Sequence, residues 1–307
     1  MTESTHEEIT GYLAGENPEI GSVELPNGAR FAVRIQLVLE DWTRLPTMAE
    51  AKHHGVRTNM GSADLIDYRE LSARLYGLRT GIHRLLKVMD ETGCTASVST
   101  SGLCGDRWPE IVAEISARGH EIVAHGYSMD EEMAHMTEEE DFEVIQETLD
   151  VLERATGIRP VGWASTAARR GKFTAQNNLR AGIIHTNDFR EADFPFVVAR
   201  LGDRQLVAMP RSDEINDNYA LHNSGLAPSN YVEYFKRSFD RLYRESEAEP
   251  GRVLTAVCHS TVIGHPWGAS AVAECCDYTR QHEDVWQTTS REIAENYLRN
   301  LKPRSRR

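Results

Sequence analysis

Short apolar strands alternate with amphipathic helices along most of the chain, an order that builds a largely parallel α/β sheet or barrel. Residues Ala32 to Glu40 place Val33, Ile35, Leu37 and Leu39 on one parity and Arg34, Gln36 and Glu40 on the other. One face of that strand therefore seeks helices while the other is partly polar. Ile82, Leu85, Leu86 and Met89 recur at helical spacing and stop at Gly93, after which Cys94 to Thr100 reads as a strand of small and β-branched residues. Trp108, Ile111, Val112 and Ile115 repeat the helical pattern, and Gly119 closes it before a strand from His120 to His125. Thr137 and Glu140 have capping-box spacing ahead of an apolar stripe, Phe142, Ile145, Leu149 and Leu152, that ends at Gly157. Further strands are expected at 160–163, 181–186, 206–209 and 253–259, and helices at 231–247, 269–282 and 290–301. No internal repeat or Pro/Gly-rich linker divides this order. One barrel-like domain is expected over residues 30–301, with an N-terminal extension 1–29, a loop excursion from Trp42 to Ala73 and a basic tail 302–307.

The 307 residues, 40% of them hydrophobic, can bury a substantial core. Lys and Arg number 34 against 47 Asp and Glu, a net charge of −13. That balance removes the diffuse attraction on which most nucleic-acid and anionic-membrane binders depend, so a small-molecule partner is expected, with no nucleic acid and no membrane. Residues 1–16 lack the basic start and apolar run of a secretory signal, and no stretch approaches a membrane span, so a cytoplasmic location is expected. The five cysteines include no CxxC pair, which argues against a disulfide framework or a thiolate zinc site; Cys275 and Cys276 read as small buried hydrophobes.

Parallel α/β folds gather their chemistry at the C-terminal ends of the strands. Four strands here end in suitable groups: Glu40-Asp41, His125, the Thr186–Asp188 stretch and His259. Singly, a strand-end acid caps a helix and a lone histidine is structural. Together, an acid pair and two histidines supply what hydrolysis of an unactivated amide needs: a base for water and an acid for the leaving nitrogen. Glu40 and Asp41 are adjacent and point to opposite faces if the strand continues, so only one faces the barrel mouth, and Asp41 is the favoured base. His259 is the expected proton donor. Tyr76 and Arg79 sit beside the first two strand ends, Arg79 either anchoring a substrate carbonyl or carboxylate or pairing with an acid. Trp163 and Trp267 are either walls of a ring-binding pocket or core residues, and Asp188, Asp193, Asn216 and Asp217 are either pocket groups or turn formers.

The string Gly119-His-Glu-Ile-Val-Ala-His125-Gly-Tyr127 resembles the second motif of the polysaccharide deacetylase superfamily, the NodB-type carbohydrate esterase family 4, and Glu40-Asp41 resembles its first, acidic motif. The allantoinase and cyclic-imide hydrolase branch is the more similar. Its echoes are Tyr76-Gly-Leu-Arg79-Thr-Gly81, Arg159-Pro-Val-Gly-Trp163, Asp188 through Asp193-Phe-Pro195, Glu214-Ile-Asn216-Asp217, His259 with Ile263-Gly-His265-Pro266, and Val285-Trp286.

The resemblance implies a distorted (β/α)7 barrel and hydrolysis of a carbon–nitrogen bond other than a peptide bond, with a homo-oligomer, dimer or tetramer, as the assembly. The function expected is an amidohydrolase of a small, possibly cyclic, amide or imide. The alternatives are an N-deacetylase of an acetylated sugar or polysaccharide, and an idle family member that only binds a small molecule. Catalysis would fall to Asp41, Glu40, His259 and His125, and substrate contact to Tyr76, Arg79, Trp163, Asp188, Asp217 and His265. Metal-dependent members hold a divalent ion through an aspartate and an H-x-x-x-H pair; here Met129 stands four residues after His125, leaving Asp41 and His125. No cofactor is expected, a zinc or manganese ion on Asp41 and His125 being the alternative, with His135 a distant third ligand. Relatives carry an arginine and an aromatic group after the Gly-Trp, where this chain has Ala164-Ser-Thr-Ala-Ala168, small residues expected to open the pocket.

Overall fold

The computed structural model describes residues 23–47 and 65–300. The tail 302–307, positions 1–22 of the N-terminal extension and 48–64 of the loop excursion lie outside the described residues. The first strand, β1 (Phe31–Leu39), is buried along its whole length. Its apolar parity, Val33, Ile35, Leu37 and Leu39, joins the main core with Leu78, Ile82, Leu85 and Leu86 of the neighbouring helix, as the period-2 pattern requires. The polar parity turns inward: the Arg34 guanidinium donates to Thr255, Asn187, Ser290 and the Pro210 carbonyl, and Gln36 donates to Ser99.

Among the described residues eight further strands make up the sheet: β2 (Ala96–Thr100), β3 (Glu121–Ala124), β4 (Gly162–Trp163), β5 (His185–Thr186), β6 (Phe196–Leu201), β7 (Arg204–Ala208), β8 (Arg252–His259) and β9 (Val285–Gln287). Their order is β6-β7-β5-β4-β3-β2-β1-β8, with β9 pairing the start of β1. The seven strands from β7 to β8 run parallel, and only β6 is antiparallel. Asn216 then pairs in parallel with Val257 on the far edge of β8, so the sheet curls toward closure. This is the barrel-like α/β domain the alternation predicts, in the distorted form the resemblance implies.

Helices α1 (Tyr68–Tyr76), α2 (Ile82–Thr92), α3 (Gly102–Arg107), α4 (Pro109–Ala117), α5 (Glu138–Thr156), α6 (Thr174–Ala181), α7 (Pro228–Glu245), α8 (Pro266–Arg280) and α9 (Ser290–Asn300) pack outside. The Thr137–Glu140 capping box opens α5, and Gly157 closes it in the left-handed region. α1 begins inside the segment expected to be loop as far as Ala73; Asp67 caps it by accepting from the Arg69 and Glu70 amides. The short β6, β9, α3 and α6 also lack a sequence expectation, each being too short for its periodicity to stand out. All five cysteines are buried thiols. No helix among the described residues is long and apolar enough to cross a membrane.

Candidate functional site

The C-terminal ends of β1, β3 and β8 deliver Glu40, His125 and His259 to the barrel mouth. Glu40 has the parity of Arg34 and Gln36, so it continues the inward face of β1, and its Oε1 lies 3.5 Å from His125 Nε2. The chain turns at Asp41, whose carboxylate leaves the mouth. It accepts from Trp108 Nε1 at 3.2 Å, from the Trp42 amide at 2.8 Å and from Arg107 at 3.3 Å. The preference for Asp41 as the mouth-facing acid is therefore corrected: Glu40 meets His125, and Asp41 ties β1 to the start of α4.

His259 is held by a buried carboxylate. Its Nδ1 donates to Asp217 Oδ1 at 2.6 Å, while Asp217 Oδ2 accepts from the His259 amide at 2.7 Å and the Ile263 amide at 3.1 Å. The Asn218 amide adds a fourth bond at 2.8 Å, and Asp217 has no exposed surface. With Nδ1 committed, His259 can offer only Nε2 to a ligand. Burial pulls the His259 pKa down, but Asp217 and then Glu40 outweigh it, and the net shift is upward despite the Arg211 charge. Glu40 moves the other way: burial raises it, yet the His125 hydrogen bond and the His259 and His125 charges hold it below the ordinary carboxylate value. The mouth thus pairs an acid biased toward its ionised form with an imidazole biased toward its protonated form.

His125 Nδ1 donates to the Ala164 carbonyl at 2.8 Å, which leaves Nε2 toward Glu40. Asp188 sets that carbonyl in place by accepting from the Ser165 amide at 2.7 Å and the Ser165 hydroxyl at 2.8 Å. Of the small-residue run, Ala164–Thr166 are buried and Ala167 is exposed. Ala167 and Ala168 follow with φ of 50° and 54°. Left-handed backbone at two successive non-glycine residues costs roughly 1–2 kcal/mol each, a strain that clusters at functional loops.

Two glycine motifs bring the elements together. A Cβ on Gly81 would meet the Ser260 carbonyl oxygen at 2.0 Å, and one on Gly264 would meet it at 2.2 Å. The π-helical turn Gly77–Gly81 therefore lies directly on the residues after His259. Tyr76, ahead of that turn, stacks on His265 at 4.1 Å and 9°, and exposed Trp267 lies parallel to His265 at 6.4 Å. These three rings form a shelf at the ends of α1 and β8.

Two expected substrate contacts are not brought to this cluster. Trp163 is fully buried and donates its indole N–H to Ser165, so it is core packing under the Ser165 segment. Arg79 is exposed, with its guanidinium 5.9 Å from the centre of the Trp108 ring on the side that holds Asp41. Asp193 is exposed and pairs with Arg252 at 3.6 Å. Sequence reasoning singled out Asp188 but not its Ser165 clasp, and did not single out Arg211, which lies just beyond β7. The strand-end position of Pro210-Arg211 was the available signal.

The two ligands the resemblance offers a divalent ion do not form a site with a third. Asp41 is engaged by Arg107 and Trp108, the Met129 amide donates to the Asp41 carbonyl, and the Met129 thioether is a soft donor. His135 is 80% exposed and pairs with Glu132. Among the described residues no three His, Cys, Asp or Glu side chains gather as a cation site. The donor set does not fit zinc or manganese held by three protein ligands.

Residues 76–183 match the family model described as polysaccharide deacetylase. Over those residues the chain is similar to the polysaccharide deacetylase family. It is 23% identical over 261 residues to a peptidoglycan deacetylase of Helicobacter pylori, covering 75% of this chain and 88% of that one. A probable polysaccharide deacetylase from Pseudomonas aeruginosa PAO1 superposes with a TM-score of 0.80 at 26% identity, covering 93% and 96% of the two chains. Puue allantoinase superposes at 0.79 and 25% identity, covering 92% and 94%. A Mycobacterium smegmatis structure called a putative polysaccharide deacetylase gives 0.77 at 23% identity over 94% and 99%, a likeness of fold. An allantoinase thus stands beside deacetylases among the structural neighbours.

Proposed function

We propose that this chain is an amidohydrolase that opens a small, cyclic amide or imide, with Glu40 activating water and His259 protonating the leaving nitrogen. The observation that carries the reading is the opposed pair at the mouth: Glu40 held below and His259 held above their ordinary pKa values, within one electrostatic cluster. Groups whose environments push them to opposite protonation states divide the base and acid roles between them.

Water held against the Glu40 carboxylate beside His125 gives it a proton as its oxygen attacks the carbonyl carbon. His125, its ring fixed by the Ala164 carbonyl, directs Nε2 at that water or at the developing oxyanion. Collapse of the tetrahedral species breaks the carbon–nitrogen bond, and His259 Nε2 passes its proton to nitrogen while Asp217 steadies the imidazole. The Tyr76–His265–Trp267 shelf offers flat rings for a planar substrate. Similarity to Puue allantoinase across most of both chains supports the cyclic substrate.

The Helicobacter pylori relative favours a second reading, removal of acetyl groups from an N-acetylated sugar, in which the same groups attack an acyclic amide. Turnover of a panel of hydantoins, cyclic imides, ureides and N-acetylated sugars by the purified protein separates the two. Ring opening in the parent, lost in Glu40→Gln, supports the first reading; acetate release alone supports the second, and no turnover of any member refutes both.

A further inference from the structure

Arg211 leaves the end of β7 on the segment that also presents Pro210 to the barrel interior. Its side chain is only 12% exposed, yet the carboxylate oxygen it pairs with, Asp213 Oδ1, is 3.9 Å away. Asp213 is itself held by Arg190 at 3.0 Å through its other oxygen. Arg211 Nε is buried and accepted by no group among the described residues. Burial lowers its pKa and Arg190 adds to that, against the pull of Asp213, Asp188 and Glu40, while Arg211 in turn lowers His259. Its charge is therefore felt at Glu40, Asp188 and His259, the groups of the mouth.

A guanidinium carries five N–H donors in a planar fork that matches a carboxylate. Here the nearest carboxylate is at 3.9 Å and is shared with Arg190, so a second anion in direct contact would offset more of the cost of burying the charge. The overall charge of −13 repels anions at long range, and a local buried cation is what could reverse that at one point. We propose that Arg211 receives a carboxylate of the substrate, making the substrate class an amide or imide that bears an acidic group as well as the scissile carbon–nitrogen bond. This deepens the amidohydrolase reading and rests on it for the reaction, but the anion contact can be measured without turnover.

The test uses the full-length protein with Arg211→Met and Arg211→Lys, and matched substrates: hydantoins or imides with a carboxymethyl arm, and the same rings with that arm as its primary amide. The parent should prefer the acid by about 100-fold in kcat/KM, the size expected of a charged hydrogen-bonded pair. In Arg211→Met the acid-to-amide ratio should fall to within about threefold, mostly through KM, as loss of a binding contact does. Arg211→Lys keeps charge without the fork and should give an intermediate ratio. In parallel, succinate should bind the parent by calorimetry and not Arg211→Met. The ligand-free Tm of Arg211→Met should equal or exceed that of the parent, because a buried cation with only a long, shared ion pair to Asp213 is removed.

Equal parent rates on acid and amide, or succinate binding that survives Arg211→Met, would overturn the assignment while leaving amide hydrolysis standing. A Tm lowered by more than about 5 °C in Arg211→Met would overturn it too, marking the arginine as structural. Absence of turnover on every ring would sink the amidohydrolase reading, and the succinate measurement would then decide the Arg211 contact by itself.

Discussion

Replacing Asp217 by asparagine removes a charge while keeping the shape of the side chain. In the parent both carboxylate oxygens face donors: Oδ2 takes the His259 and Ile263 amides, and Oδ1 takes His259 Nδ1 and the Asn218 amide. If the new NH2 faces the His259 and Ile263 amides two bonds are lost; if it faces the Asn218 amide and Nδ1, one is lost and His259 is driven into the tautomer with its proton on Nε2, and the remaining bonds lose their charge assistance. At a net 1.5–3 kcal/mol for a bond to a charged group, the loss is about 4 kcal/mol after relaxation. For a domain of this size that corresponds to a Tm lower by roughly 10 °C. Turnover should fall about 100- to 1,000-fold, because His259 is no longer fixed with Nε2 toward the substrate. Asp217 is also the main force that raises the His259 pKa against burial, so the alkaline limb of the rate profile should move to lower pH. Calorimetry and a pH–kcat/KM series on Asp217→Asn check all three. An unchanged alkaline limb with more than half the parental rate would refute the claim that Asp217 tunes His259.

Glu40→Gln should abolish turnover while Asp41→Asn retains a measurable rate and loses Tm through its Trp108 and Arg107 contacts; the reverse ranking in steady-state assays would restore Asp41 as the base. The parent's rate should hold from below the ordinary carboxylate pKa to above the ordinary histidine pKa, giving a broad plateau in a pH–rate profile. The same shifts predict stability: the Glu40 contribution is present above its unfolded value and lost as pH falls through its lower folded one, and the His259 contribution is present below its unfolded value and lost as pH rises through its higher folded one, measurable as Tm against pH. Dialysis against EDTA should leave activity intact, and Met129→His should bind zinc no more than about twofold more tightly than the parent by calorimetry, since Arg107 and Trp108 hold the Asp41 carboxylate away from His125. Gly81→Ala should push the Ser260 carbonyl, 2.0 Å from the added methyl, and lower both Tm and kcat by disturbing the residue after His259.

Much of the fold was legible because it rests on long, strongly periodic segments. β1, α2 and α5 each carry an unbroken stripe, and the two helices end on Gly93 and Gly157 in the left-handed region, where the chemistry of the residue stops them. What was missed is short or depends on partners distant in sequence. α3 is six residues whose burial comes from α5, and β6 exists because it pairs antiparallel with β7 across a two-residue turn. The Asp67 cap of α1 is three residues from Glu70, a spacing visible in the sequence but hidden inside a stretch without apolar periodicity.

The site was legible to the level of which strand ends matter and not to the level of which atoms face the mouth. Parity along β1 puts Glu40 on the face of Arg34 and Gln36, and that alone argues for Glu40 over Asp41; a preference for Asp41 treats the acidic pair as interchangeable. A strand that stops at Leu39 lets Asp41 swing outward, where Trp108 and Arg107, at the junction of two helices whose packing no local pattern specifies, capture it. The same distinction explains Asp217 and Asp188. Both are turn-forming acids, as turn chemistry predicts, and both are also the groups that orient His259 and, through Ser165 and Ala164, His125. Holding a histidine at Nδ1 leaves its Nε2 free, so the two loops that looked like solvated turns fix which nitrogen each imidazole offers, His125 turning its own toward Glu40.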